Sequence, residues 1–63
     1  MSELEMLVLG LRSRAATCTR LAGVQKSEVD RARLAGKAVA YDHAADLLND
    51  YLSIANELEK DND

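Results

Sequence analysis

Residues 27–60, SEVDRARLAGKAVAYDHAADLLNDYLSIANELEK, run without a proline and decide the fold. Leu34, Tyr41, Leu48 and Ala55 recur every seven positions in this stretch. Ala44, Tyr51 and Leu58 occupy a second apolar position of the same heptads. Such a seam is stable only when another helix covers it. The spacing therefore predicts one long helix over about residues 28–60, with Leu52 widening its apolar edge. It predicts an architecture and a kind of partner, and carries no chemistry of its own.

The upstream segment supplies a first partner. Ser2 with Glu5 fits a capping box, in which hydroxyl and carboxylate satisfy backbone donors of the first turn. Leu4, Leu7, Leu11, Cys18 and Leu21 trace one helical stripe, widened by Val8, Ala15 and Ala22. Arg14 interrupts it, with its stem along the apolar surface and its head in water. These cues predict a helix over about residues 3–22. Gly23 is placed to adopt the left-handed conformation that closes a helix, which makes residues 23–27 a turn. Ser27 caps the second helix, and Glu28 and Asp30 sit in its first turn, where the dipole favours acid. Arg20 has the matching place near the end of the first helix.

At 1.5 Å per residue the second helix spans on the order of 50 Å and the first about 30 Å. The hairpin is expected to be lopsided, with Leu48, Tyr51, Leu52, Ile54, Ala55 and Leu58 on an overhang that needs cover. Gly36 costs about 1 kcal/mol relative to alanine in a helix interior. Its place in the row Ala32, Gly36, Ala40, Ala44 predicts close approach of a neighbouring backbone there. The acidic tail, residues 61–63, is expected to fray.

Size adds a constraint. A chain of 63 residues is one small domain, and alone it hides only about 60% of the surface its unfolded form exposes. Chains of this size gain stability from disulfides, a metal or oligomerisation. Cys18 is the only cysteine, so no internal disulfide forms, and a free thiol suits a reducing compartment. There is no Phe or Trp, and alanine buries little area, so four or more helices are expected rather than two. The N-terminus has Glu3 and Glu5 where a signal peptide has basic residues, and Met6 to Leu11 is too short an apolar run. Nothing approaches the roughly 20 apolar residues of a membrane span. The expectation is a soluble cytoplasmic protein.

The net charge of −3 conceals a division along the chain. Residues 12–37 hold seven cations against Glu28 and Asp30, a balance of +5. Residues 38–63 hold seven carboxylates against Lys60, a balance of −6. A hairpin so charged has a basic turn and an acidic open end. Two hairpins laid antiparallel would set each basic tip beside the other's acidic end. Ordinary solvated helix surface is an equal reading, and a phosphate backbone or acidic protein at the tip is a third.

Residues 21–32, LAGVQKSEVDRA, resemble the core of a DNA-binding helix-turn-helix: small Ala22 before the turn, Gly23 in it, Val24 after it, and Val29 and Ala32 facing inward. The resemblance implies Lys26, Ser27 and Arg31 at base edges, with Arg20 or Arg33 on phosphates. Thr19 stands where that family packs a small alanine, and the chain as a whole is acidic. A plain hairpin turn uses the same Gly23 and Ser27 for capping. His43, Asp46 and Asp50 share a helical face, but one nitrogen ligand makes a poor metal site and a solvated face is the better reading. They form no acid–base pair in an enclosed pocket, and Cys18 reads as a small core residue. No enzyme activity and no cofactor are expected.

Residues 28–41, EVDRARLAGKAVAY, resemble a phrase of small helical proteins of bacteriophages, particularly those infecting actinobacteria: a basic helix start, Leu34, the Gly36-Lys37-Ala38 step and Tyr41. That resemblance implies an accessory protein that acts by binding, with a host protein as partner. In length and hairpin architecture the chain is also similar to plasmid RNA-binding regulators of the Rop type, without a matching set of RNA-contacting residues. The combined reading is an all-α, two-helix antiparallel hairpin that assembles as a dimer or tetramer into a four-helix or larger bundle. Leu34, Tyr41, Ala44, Leu48, Tyr51, Leu52, Ala55 and Leu58 are its expected oligomer interface. Its function is expected to be non-catalytic protein–protein interaction. The alternative is a small DNA-binding regulator using Arg20, Lys26, Ser27, Arg31 and Arg33.

Overall fold

The computed structural model describes residues 2–61, the last three by their backbone alone. It contains two helices, α1 over Glu3–Val24 and α2 over Glu28–Asp61, packed as a hairpin. No strand occurs among the described residues. The start of α1 follows directly from its sequence. The Ser2 hydroxyl accepts from the Glu5 amide at 3.1 Å, and the Ser2 amide donates to the Glu5 carboxylate at 3.3 Å. Both halves of the capping box are made.

The turn is tighter than the sequence implied. Gly23 does not adopt a positive φ; α1 runs through it to Val24 and ends where Gln25 turns extended, at φ −78° and ψ 139°. The Gln25 amide still reaches the Ala22 carbonyl at 3.3 Å, which satisfies one of the last acceptors without a left-handed residue. Only Gln25, Lys26 and Ser27 connect the helices. Ser27 caps α2: its hydroxyl accepts from the Asp30 amide at 3.4 Å and its carbonyl from the Arg31 amide at 3.0 Å. Glu28 and Asp30 occupy the first turn as expected.

Both helices bury residues at alternating intervals of three and four. On α1 the buried or half-buried positions are Leu4, Val8, Leu11, Ala15, Cys18 and Ala22. On α2 they are Leu34, Ala38, Tyr41, Ala45, Leu48, Leu52 and Ala55, with Ala44 half-buried at the margin. This is antiparallel coiled-coil packing. It revises the expected pattern in one respect: Leu34, Tyr41, Leu48 and Ala55 are seam residues, but their companions are Ala38, Ala45 and Leu52. Tyr51 and Leu58 lie outside the seam. On α1, likewise, Val8 and Ala15 form the centre and Leu7 and Leu21 the exposed flank. Arg14 is exposed and does not lie along the seam.

The core is thin. Among the described residues Val8, Ala15, Ala38 and Ala45 are buried, and Ala45 has no exposed surface. Small residues at those positions let the two backbones approach. The expected close approach along Ala32, Gly36, Ala40 and Ala44 is not made. Ala32, Gly36 and Ala40 are exposed, and a Cβ added at Gly36 would meet nothing within 4 Å. Helix α2 continues through Gly36 without a break.

The overhang is also shorter than expected. Ser2 and Leu4 line a shallow groove with Leu52, Ser53, Ala55 and Asn56, so α1 flanks α2 as far as Asn56. Leu48, Leu52 and Ala55 are therefore covered by α1, and only the last turns of α2 project beyond it. The expected frayed tail at residues 61–63 lies outside the described residues, except for the helical backbone of Asp61. The molecule is a rod of 55 × 17 × 11 Å. Its radius of gyration is 15.4 Å, against about 10.6 Å for a compact domain of this length.

Candidate interaction surface

The seam divides the rod into two long faces, and one of them is polar on α2. Arg12 from α1 reaches Asp46 of α2 at 2.9 Å and Asp42 at 3.8 Å. Asn49, Ser53 and Asn56 continue along the same side of α2, where Asn49 lines a groove with Glu5, Val8 and Leu9. Arg12 is one of the seven cations of the basic stretch, and it is neutralised within the hairpin. The sequence gives no signal for this pairing until the register of the two helices is known.

The opposite face is apolar on α2. Ala40, Ala44, Leu47, Tyr51, Ile54 and Leu58 follow one another at intervals of four and three. At 100° per residue their stripe is centred roughly 100° from the hairpin seam, on the side away from Asp42 and Asp46. Leu47, Tyr51, Ile54 and Leu58 are each 58% to 60% exposed. Helix α2 therefore carries two heptad seams, and α1 covers one. Leu7 of α1, 52% exposed, extends the apolar face across the hairpin.

The expected interface residues divide accordingly. Leu34, Tyr41, Leu48, Leu52 and Ala55 belong to the seam against α1 and are half-buried there. Ala44, Tyr51 and Leu58 belong to the uncovered stripe. Ala40, Leu47 and Ile54 complete that stripe; Ile54 was expected on the overhang and Ala40 in the small-residue row, whereas Leu47 was not singled out. Their signal, a second four-three periodicity offset from the first, was present but merged with it.

At the other end of the rod, Arg20, Lys26, Arg31 and Arg33 are exposed around the turn, as is Ser27. Among the described residues, the ion pairs formed are both made by Arg12. Val29 and Ala32 do not face inward; both are exposed, Val29 by 66%. The packing that a helix-turn-helix would place behind its second helix is not made in this hairpin. No group of His, Cys, Asp or Glu suited to a metal is found among the described residues. His43 and Asp50 are exposed, and Asp46 is engaged by Arg12. Cys18 is a half-buried free thiol in the seam. No described helix is long and apolar enough to cross a membrane.

Comparison of the chain with protein families, with curated proteins and with solved structures finds no match. The functional reading therefore rests on the geometry of these faces.

Proposed function

We propose that the chain is a non-catalytic, homo-oligomeric helical protein that acts through protein–protein contact. The observation that carries this reading is the second heptad seam of α2, which the hairpin leaves in water. Contiguous apolar surface of this kind marks an interaction site on a soluble chain. Its partner in the first instance is another copy, as a dimer or tetramer forming a four-helix or larger bundle. Its exposed basic tip is the surface for a further macromolecule. The resemblance to phage accessory proteins makes that macromolecule a host protein and the setting a bacterial cytoplasm.

Sedimentation equilibrium at micromolar concentration tests the reading. A multimer is expected, and a single 6.9 kDa species would overturn it. The exposed, unpaired cations around Lys26 favour a second reading, a DNA-binding regulator with Arg31 and Arg33 on the duplex. A regulator binds duplex DNA with steep salt dependence and loses affinity on Arg31→Ala. The interaction protein shows no duplex binding at low or moderate salt.

A further inference from the structure

We propose that the uncovered seam of α2 is covered by the same seam of a second copy, antiparallel to the first, with the two-fold axis level with Asn49. This arrangement rests on the self-associating reading above and gives it a geometry. The first argument is area. The hairpin exposes 5064 Å², whereas a folded monomer of this mass exposes about 4,000 Å². The excess, about 1,000 Å² per chain, is close to the roughly 800 Å² that each partner contributes to a stable interface. A second copy of this chain removes that excess.

The second argument is shape. An isologous contact pairs residues at equal distances on either side of the axis. About Asn49, Ala40 meets Leu58, Ala44 meets Ile54, and Leu47 meets Tyr51. Bulky side chains fall opposite alanines at both ends, and the two larger residues near the middle face each other. Interdigitation of large and small is what a helix interface requires. A parallel pair would set Leu58 on Leu58 and Ala40 on Ala40, crowding one end and leaving a gap at the other.

Charge points to the same orientation. Lys37 continues the stripe beyond Ala40, toward the basic tip. In the antiparallel pair it lies level with the end of α2 of the second copy, in the half of the chain whose balance is −6. Parallel packing superimposes the basic tips and the acidic ends, which opposes association. The stagger leaves both basic tips free at opposite ends and lengthens the pair to about 70 Å, against 55 Å for one hairpin.

Cysteine cross-linking in a Cys18→Ala background tests the arrangement, because Ala40 and Leu58 are exposed and either can be replaced without entering the hairpin seam. Size-distinguishable Ala40→Cys and Leu58→Cys chains are mixed and oxidised, with sedimentation of each sample in parallel. The mixed 40–58 disulfide is expected. Leu58→Cys alone is expected not to link to itself, since the two positions lie about 27 Å apart along the axis and a disulfide needs Cα atoms within about 7 Å. Self-linking of Leu58→Cys in a dimeric sample, or a dimer with no mixed disulfide, overturns the arrangement and leaves self-association standing. A monomeric sample overturns both. Small-angle scattering of the unmodified chain gives an independent reading: a maximum dimension near 70 Å agrees with the stagger, and a dimer no longer than one hairpin contradicts it.

Discussion

Arg12 and Asp46 lie 34 positions apart in the chain, and their side chains meet at 2.9 Å across the hairpin. The contact follows from the register that the buried seam sets, and it joins the basic stretch to the acidic half. Its energy is small, because the two side chains are 43% and 64% exposed and solvent screens the pair. A double-mutant cycle of Arg12→Ala and Asp46→Asn, read by chemical denaturation, is expected to give a coupling below about 1 kcal/mol. The coupling should fade further at 1 M salt, where the screening length is only about 3 Å. A value of several kcal/mol would mean that the pair is more enclosed than this geometry allows.

The two helices and their caps were legible because their signals are local. Ser2 with Glu5, and Ser27 with Asp30, need only a few neighbouring residues to act. The heptad of Leu34, Tyr41, Leu48 and Ala55 was legible for a similar reason, since period follows from one helix alone. What sequence did not settle was which companion set packs on α1. Ala38, Ala45 and Leu52 lie on one side of that heptad, and Ala44, Tyr51 and Leu58 on the other. Both sets are apolar, so hydrophobicity does not choose. The helix partner chooses, through the burial of Ala15, Ala38 and Ala45 between the two helices, and that packing exists only in three dimensions. Gly23 departs from its expected role for the opposite reason. Its freedom to close a helix was real, but Gln25 ended α1 in an extended conformation that does not require it.

Gly36 offers a test of helix continuity. It is exposed within an unbroken helix, and an added methyl group meets nothing within 4 Å. Gly36→Ala is therefore expected to stabilise the protein by up to about 1 kcal/mol, through the lower backbone entropy of the unfolded chain. A raised denaturation midpoint with an unchanged slope would bear this out. Destabilisation would place an unseen neighbour against that face of α2.

The cap at Ser27 is the point where three connecting residues become a helix. Ser27→Ala removes the acceptor for the Asp30 amide and is expected to cost about 1 kcal/mol. Hydrogen exchange should show the loss as faster exchange at the Asp30 amide and its neighbours in the first turn of α2. A melting temperature that falls with no change in those amides would locate the effect elsewhere.

Ala45 lies in the seam between the two helices, with no exposed surface. Three added heavy atoms there have no space to enter, and overpacking of this kind costs about 1–3 kcal/mol. Ala45→Leu is therefore expected to lower stability even though it adds apolar area. Val39→Leu, at a residue 69% exposed on the same helix, is the control and should be nearly neutral. Equal effects of the two substitutions would contradict the full enclosure of Ala45.

Leu47 and Leu48 are adjacent in sequence and serve different contacts. Leu48 is half-buried against α1, whereas Leu47 is 58% exposed on the uncovered stripe. In a self-associating chain, melting temperature rises with protein concentration, because only the folded form binds its partner. Leu48→Ser is expected to lower the melting temperature at every concentration, since it weakens the hairpin itself. Leu47→Ser should instead flatten the concentration dependence and bring the melting temperature down to that of the dilute wild type. Circular dichroism melts over a hundredfold range of concentration separate the two. If Leu47→Ser left the concentration dependence intact, the stripe from Ala40 to Leu58 would not be the surface through which copies meet.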